Sequence, residues 1–306
     1  CFCTAKRAKL PLSMKPKEAA TLIENPDNHV KVISSTFYMP GDPRKKDQVY
    51  KDKRVPKARF MDIDEVADKK TELPHMLPSL EEFEQHMDKI RVKGNDKLVI
   101  YDDESILGAA RAWWTFQVFG VKASVMEGGF PKWQKDVGKT EEGEVSWKKG
   151  SHESHSAGTF KFHKELVKDM KDIRAWVENP WKDFQLVDAR APARFKGTEP
   201  DPRGLRTGHI PGSKNVWFKL LLNDDNTFKS DEEIKAIFHK NGIDITKPIT
   251  TTCGSGVTAS VLFLALKKIG AHDVSLYDGS WSEWGRYAEN PVATITPQTE
   301  TLECFH

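Results

Sequence analysis

The chain has 306 residues, with 47 Lys and Arg against 45 Asp and Glu, a formal net charge of +2, 38% hydrophobic and 30% charged residues. That length allows two compact domains, the composition is that of a globular protein with a heavily charged surface, and no apolar stretch approaches the roughly 18 residues a membrane-spanning helix needs. The charges are interspersed, so no basic face for nucleic acid is gathered: the nearest candidate, residues 42–57 with Arg44, Lys45, Lys46, Lys51, Lys53, Arg54 and Lys57, also holds acids, lacks an aromatic stacking pattern and reads as a solvated loop.

The sequence opens at Cys1 without a Met. Cys1 and Cys3 read as a frayed terminus, and Lys6, Arg7 and Lys9 as a candidate remnant of a transit segment. With Cys253 and Cys304 they make four cysteines whose spacing forms neither a disulfide framework nor a zinc site, so no metal is expected and a reducing compartment suits them. In the first half, Ile33-Ser34 and then Arg54-Val55-Pro56-Lys57 precede a strand at Leu98-Val99-Ile100-Tyr101. A loop over Asp102 to Gly108 leads to a helix at Ala109 to Phe119, with Ala112, Phe116 and Phe119 on one face and Gly120 as its stop. Val125-Met126-Glu127-Gly128-Gly129-Phe130 and Trp133 close the half.

Residues 138–158, rich in Lys, Glu, Ser and Gly, read as a linker. His152 and His155 fall in it without carboxylate or cysteine partners, so they are expected to be solvated histidines rather than metal ligands.

The second half repeats the order of the first at an offset of about 150 residues. Val187-Asp188 answers Ile33-Ser34, and His209-Ile210-Pro211-Gly212 answers Arg54 to Lys57. Pro248 to Thr252 is a β-branched strand, Cys253-Gly254-Ser255-Gly256-Val257 a small-residue loop, and Thr258 to Ile269 a helix with Leu262, Ala265, Leu266 and Ile269 on one face, ended by Gly270. Leu276-Tyr277-Asp278-Gly279 with Trp281 and Trp284 repeats the aromatic ending. Alternating strands and helices predict an α/β fold: tandem domains, 10–137 and 159–290, each a mainly parallel sheet flanked by helices, with a tail at 291–306.

Cys253 falls at the carboxyl end of a strand, where ligands sit in open α/β sheets. The backbone N–H groups of Gly254, Ser255, Gly256 and Val257 can curl around its sulfur, and the helix beginning near Thr258 adds its positive dipole end. These influences favour a thiolate nucleophile. The first half carries Asp103 at the equivalent place, so one half keeps the nucleophile and the other has lost it. Two other readings compete. One is a buried structural cysteine. The other is a phosphatase-like loop, which is poorly served because no Arg lies between Cys253 and Arg286.

Cys253-Gly254-Ser255-Gly256-Val257-Thr258-Ala259 resembles the active loop of the 3-mercaptopyruvate sulfurtransferases in the two-domain rhodanese superfamily. The likeness spans roughly residues 10 to 290. It includes Asp188-Ala189-Arg190, the run from Arg194 to Arg203, Gly208 to Gly212 and Tyr277 to Trp281. In the first half it includes Phe60 to Asp64 and Pro74 to Pro78. The resemblance implies tandem rhodanese-like domains, with the second catalytic. It implies that Cys253 becomes a persulfide and that Arg194 and Arg203 hold the carboxylate and keto oxygen of 3-mercaptopyruvate. Gly254, Gly256, Val257 and Thr258 would complete the binding loop. Ser255, His75 and Asp64 would relay a proton to the pyruvate enolate, in a site between the domains. Arg190 would pair with Asp188 or a loop carbonyl, and His209 would be a packing residue.

The resemblance also implies thioredoxin or small thiols as acceptors and no cofactor. A monomer of the cytoplasm or mitochondrion is expected, with Cys304 able to form an oxidative bridge to a second copy. A thiosulfate sulfurtransferase is the nearest alternative, but such enzymes carry basic residues after the cysteine, where this chain has Gly254 and Ser255. A non-enzymatic persulfide carrier or regulatory module is the other.

Overall fold

The computed structural model describes residues 10–144 and 159–295. Cys1, Cys3, His152, His155 and Cys304 lie outside the described residues. The first unit runs β1 (Ser13–Met14), α1 (Pro16–Glu24), β2 (Val30–Ser34), α2 (Lys46–Asp52), β3 (Arg59–Phe60), α3 (Leu80–Lys89), β4 (Lys97–Tyr101), α4 (Leu107–Val118), β5 (Lys122–Met126) and α5 (Gly129–Asp136). The second repeats it as β6 (Val167–Lys168), α6 (Met170–Glu178), β7 (Gln185–Asp188), α7 (Pro192–Lys196), β8 (Lys214–Asn215), α8 (Asp231–Lys240), β9 (Ile249–Thr252), α9 (Val257–Lys268), β10 (Val274–Tyr277) and α10 (Ser280–Trp284).

The sheets have the orders β1-β5-β4-β2-β3 and β6-β10-β9-β7-β8, and every strand pair is parallel. Helices cover both faces, so the central strands are buried throughout their apolar and β-branched runs. Duplication extends to the helix caps. Ser79 and Glu82 form a reciprocal capping box at the start of α3, and Ser230 and Glu233 do the same for α8.

The units meet through α4 and α9. Both are apolar nearly all round, as a helix enclosed on every side must be, and Trp113 packs edge-on against Phe263 with ring centroids 5.9 Å apart. Reciprocal polar contacts flank this seam. The Leu77 N–H donates to Asp278 Oδ2 of the second unit at 2.8 Å. The Phe228 N–H donates to Glu127 Oε2 of the first at 3.1 Å.

The expected boundaries shift in three places. Residues 138–144, expected to be linker, pack on the first unit: Arg54 and Glu141 exchange backbone hydrogen bonds and an ion pair at 2.6 Å. Residues 159–163, expected in the second unit, also lie on the first, with Phe160 edge-on to Phe83 at 5.1 Å and the His163 N–H bonded to Val118 O. At the other end, Ala293 pairs with His209 and Ile295 with Lys196, so the second unit continues past 290. Composition marked residues 138–158 as polar, but single anchors attach the segments at either end of that stretch, Arg54 the first and Phe160 the second.

Candidate active site

Cys253 is the first residue beyond β9, at the carboxyl edge of the second sheet. Its Sγ accepts the backbone N–H of Gly256 at 3.1 Å. Gly256 is the N-cap of α9 and has φ +80°, a left-handed conformation that a glycine adopts without a Cβ penalty. The start of α10 holds the rest of the loop. The Cys253 N–H reaches Ser280 Oγ at 3.2 Å, the Trp281 N–H reaches Cys253 O at 3.0 Å, and Ser282 gives Gly254 O both its N–H (2.8 Å) and its hydroxyl (2.7 Å). The cysteine is only 2% exposed, so its sulfur is largely shielded from water.

One arginine lies against the loop, and a second is tied to it through one buried carboxylate. Asp201 accepts Arg194 Nη2 at 2.5 Å on one oxygen and the Arg203 N–H at 2.9 Å on the other. Arg203 then crosses the loop. Its Nη2 donates to Ser255 Oγ at 3.3 Å, and its Nη1 lies 3.0 Å from where a Cβ on Gly254 would sit. Arg194 keeps a buried Nε with no hydrogen-bond partner, a donor available to an anionic ligand. The other arginine, Arg190, is tied up within the fold: it chelates Asp188 at 2.7–3.1 Å and bonds Gly208 O at 2.8 Å. His209 stacks on Phe195 with centroids 3.9 Å apart, as a packing residue.

The first unit contributes His75, in a left-handed turn at φ +63°. Its Nδ1 lies 2.7 Å from Asp64 Oδ1, and Lys46 pairs with both Asp62 (2.7 Å) and Asp64. Burial opposes ionisation of Asp64, but the His75 and Lys46 contacts prevail and hold its carboxyl below the ordinary aspartate range. Of the expected relay, His75 and Asp64 are therefore in contact. Ser255 accepts from Arg203, and no hydrogen bond joins it to His75 among the described residues. As acceptor from Arg203, the Ser255 hydroxyl keeps its own proton free to donate.

The strand register corrects one expectation. Ile33 pairs with Ile100 as Val187 pairs with Thr251, so the residue equivalent to Cys253 is Asp102, not Asp103; a one-residue difference in loop length hid this. Asp102 is fully buried, and its carboxylate accepts four backbone N–H groups, those of Glu104, Ser105, Gly108 and Phe37, at 2.8–3.3 Å. The nucleophile-free loop is thus an amide cup filled by its own side chain.

Sequence reasoning missed Arg111 and Asp278. Arg111 is buried in α4, its Nη2 bonded to Asp278 Oδ1 at 2.7 Å and to His75 O, and its Nη1 to Gly256 O at 3.4 Å. One signal was available: a lone arginine inside Ala-Ala-Arg-Ala-Trp-Trp, where every neighbour is apolar. Among the described residues no group of His, Cys, Asp or Glu could hold a metal, and no helix is long and apolar enough to cross a membrane.

The model of the rhodanese-like domain matches twice, at residues 16–136 and 169–287. The chain is 38% identical over 290 residues to thiosulfate/3-mercaptopyruvate sulfurtransferase 1, mitochondrial, of Arabidopsis thaliana, covering 89% of this chain and 76% of that one. It is 40% identical over 274 residues to 3-mercaptopyruvate sulfurtransferase of Escherichia coli K12, covering 88% and 94%. The crystal structure of SseA, a 3-mercaptopyruvate sulfotransferase from Escherichia coli, superposes with a TM-score of 0.77 at 35% identity, over 90% of this chain and all of that one.

Proposed function

The chain belongs to the rhodanese-like domain family, and from that premise we propose that it transfers sulfur from 3-mercaptopyruvate, through a persulfide on Cys253, to a thiol or to cyanide. The observation that carries this reading is the buried Sγ of Cys253 at the carboxyl end of β9, accepting the Gly256 N–H, with Arg203 bonded to Ser255 of the same loop and Arg194 tied to Arg203 through Asp201.

The donor's carboxylate and keto oxygen meet Arg194 and Arg203, whose forked guanidinium groups suit a planar α-keto acid. The buried Nε of Arg194 is one donor they can use. The sulfur of Cys253 attacks the donor sulfur. An S–S bond forms, the S–C bond breaks, and its electron pair stays on carbon as the enolate of pyruvate. That enolate gains one proton and leaves as pyruvate. His75, backed by Asp64, supplies the proton as a general acid. Ser255, whose hydroxyl accepts from Arg203 and keeps its own proton, is the proposed link that passes the proton along. Gly254, Gly256, Val257 and Thr258 form the wall of the cup, and the Gly256 N–H stabilises negative charge on sulfur. An acceptor thiolate or cyanide then attacks the outer sulfur and regenerates Cys253. Burial of the cysteine shields the persulfide from water between the two halves of the cycle.

Thioredoxin or a small thiol is the proposed physiological acceptor, and a monomer of the cytoplasm or mitochondrion the proposed state. Thiosulfate is the weaker donor reading. Its two negative charges would call for basic side chains at 254 and 255, where Gly254 and Ser255 stand.

Mass measurement on the purified chain tests the reading. Incubation with 3-mercaptopyruvate should add one sulfur atom and release pyruvate, and Cys253→Ser should abolish both. Sulfur gained by the Cys253→Ser protein would refute it.

A further inference from the structure

Arg111 lies outside the donor-binding arginines, yet it touches three parts of the site at once. It belongs to the unit without the nucleophile, and both it and its partner Asp278 are almost completely buried. Trp114 stacks under the guanidinium at 4.5 Å. A buried ion pair of this kind adds little stability compared with apolar residues of the same size, so stability alone gives a poor account of it.

Its partners give a better one. Gly256, whose carbonyl it bonds, supplies from its own N–H the hydrogen bond to Cys253 Sγ. His75, whose carbonyl it also bonds, carries the imidazole facing Asp64. Asp278, its ion-pair partner, uses its second oxygen to hold the Leu77 N–H, two residues beyond His75. Gly256 is also the residue against which the guanidinium rests: a Cβ there would lie 2.6 Å from Arg111 Nη1.

The duplicated architecture offers an internal comparison. The equivalent turn of α9 carries Val261, and no arginine reaches the other cleft from it. Glu127, the counterpart of Asp278, bonds Ser13 Oγ at 2.5 Å and the Phe228 N–H instead. The docking contact is thus kept on both sides, but the arginine is present only where the sulfur is.

We infer that Arg111 is a positioning residue for sulfur transfer: from the first unit it sets the Cys253 cup and the His75 turn in register, with Asp278 as its anchor. The inference rests on the persulfide reading above. It separates the roles of the three arginines, since Arg194 and Arg203 bind the donor whereas Arg111 never meets it.

Two variants and three readouts test this. Arg111→Lys keeps the charge but lacks the fork that reaches Asp278, His75 and Gly256 together. The double variant Arg111→Met with Asp278→Asn leaves no unpaired buried charge and keeps an acceptor for the Leu77 N–H. In both, kcat with 3-mercaptopyruvate should fall about tenfold or more, each tenfold step being 1.36 kcal/mol of barrier, while KM stays within about twofold, the pattern of an interaction felt in the transition state rather than in donor binding. Tm should stay near wild type, and long incubation should still load one sulfur atom. A kcat within twofold of wild type in a variant that keeps its Tm overturns the inference. So does a raised KM at unchanged kcat, which would make Arg111 a donor ligand, and so does unfolding of both variants, which would leave it a purely structural role. Failure of the wild type itself to take up sulfur would instead strike the persulfide reading.

Discussion

At the scale of single residues, Gly254 is where space decides chemistry. A methyl group there would press on Arg203 Nη1, the mobile end of a long side chain, rather than on backbone. Gly254→Ala should therefore leave Tm nearly unchanged but raise KM for 3-mercaptopyruvate several-fold, because Arg203 must move aside; an unchanged KM in steady-state assays would remove Arg203 from donor binding. Gly254→Arg with Ser255→Lys should shift preference toward thiosulfate. Each added charge at contact range is worth about 1 to 4 kcal/mol depending on screening, and rates with both donors would show the shift or its absence. Cys253 and its loop were legible because the whole device is contiguous: strand, cysteine, two glycines, helix. Arg194 and Arg203 entered only through resemblance, and nothing local singled out Asp201, the carboxylate that holds both. Arg111 was illegible in role because its partners His75, Gly256 and Asp278 are distant in sequence, and nothing local names them.

At the scale of elements, the helices α4 and α9 followed from periodicity and glycine stops and the strands β4 and β9 from short apolar or β-branched runs, with ends within two residues of those expected, whereas α1, α3, α6 and α8 were not foreseen. Nor were the edge strands. β1, β3, β6 and β8 have two residues each, too few to display an alternation. Their partners, not their own sequence, make them strands. The capping boxes of α3 and α8 provide a test of the duplication at this scale. Ser79→Ala and Ser230→Ala should each cost about 1 kcal/mol, the usual loss of an N-cap hydroxyl. The two caps lie in different units and share no partner, so the double variant should show the sum. Chemical denaturation of the three variants would measure it, and a clear excess over the sum would reveal coupling between the units.

For the whole molecule, the tandem repeat was legible from the order of its motifs, whereas the way the halves dock was not. The seam depends on α4 meeting α9 and on long-range pairs such as Lys132 with Asp225, 2.9 Å apart. The Thr227 hydroxyl and then Lys132 hold Asp225 down at about 2. A folded value below the ordinary aspartate value of about 3.9 means that the stabilisation is present above that pH and is lost as pH falls through the folded value. Between about pH 4 and 2 the wild-type Tm should thus fall more steeply than that of Asp225→Asn, which has no such carboxylate to protonate. Parallel melting curves over that range would exclude a contribution from this contact.

The carboxylate of Asp102 completes the picture of the duplication. Both ancestral receptacles survive, but one comes already stoppered from within, by a group that cannot diffuse away. A titration with 3-mercaptopyruvate should accordingly saturate at a single equivalent per polypeptide, although the architecture was built twice.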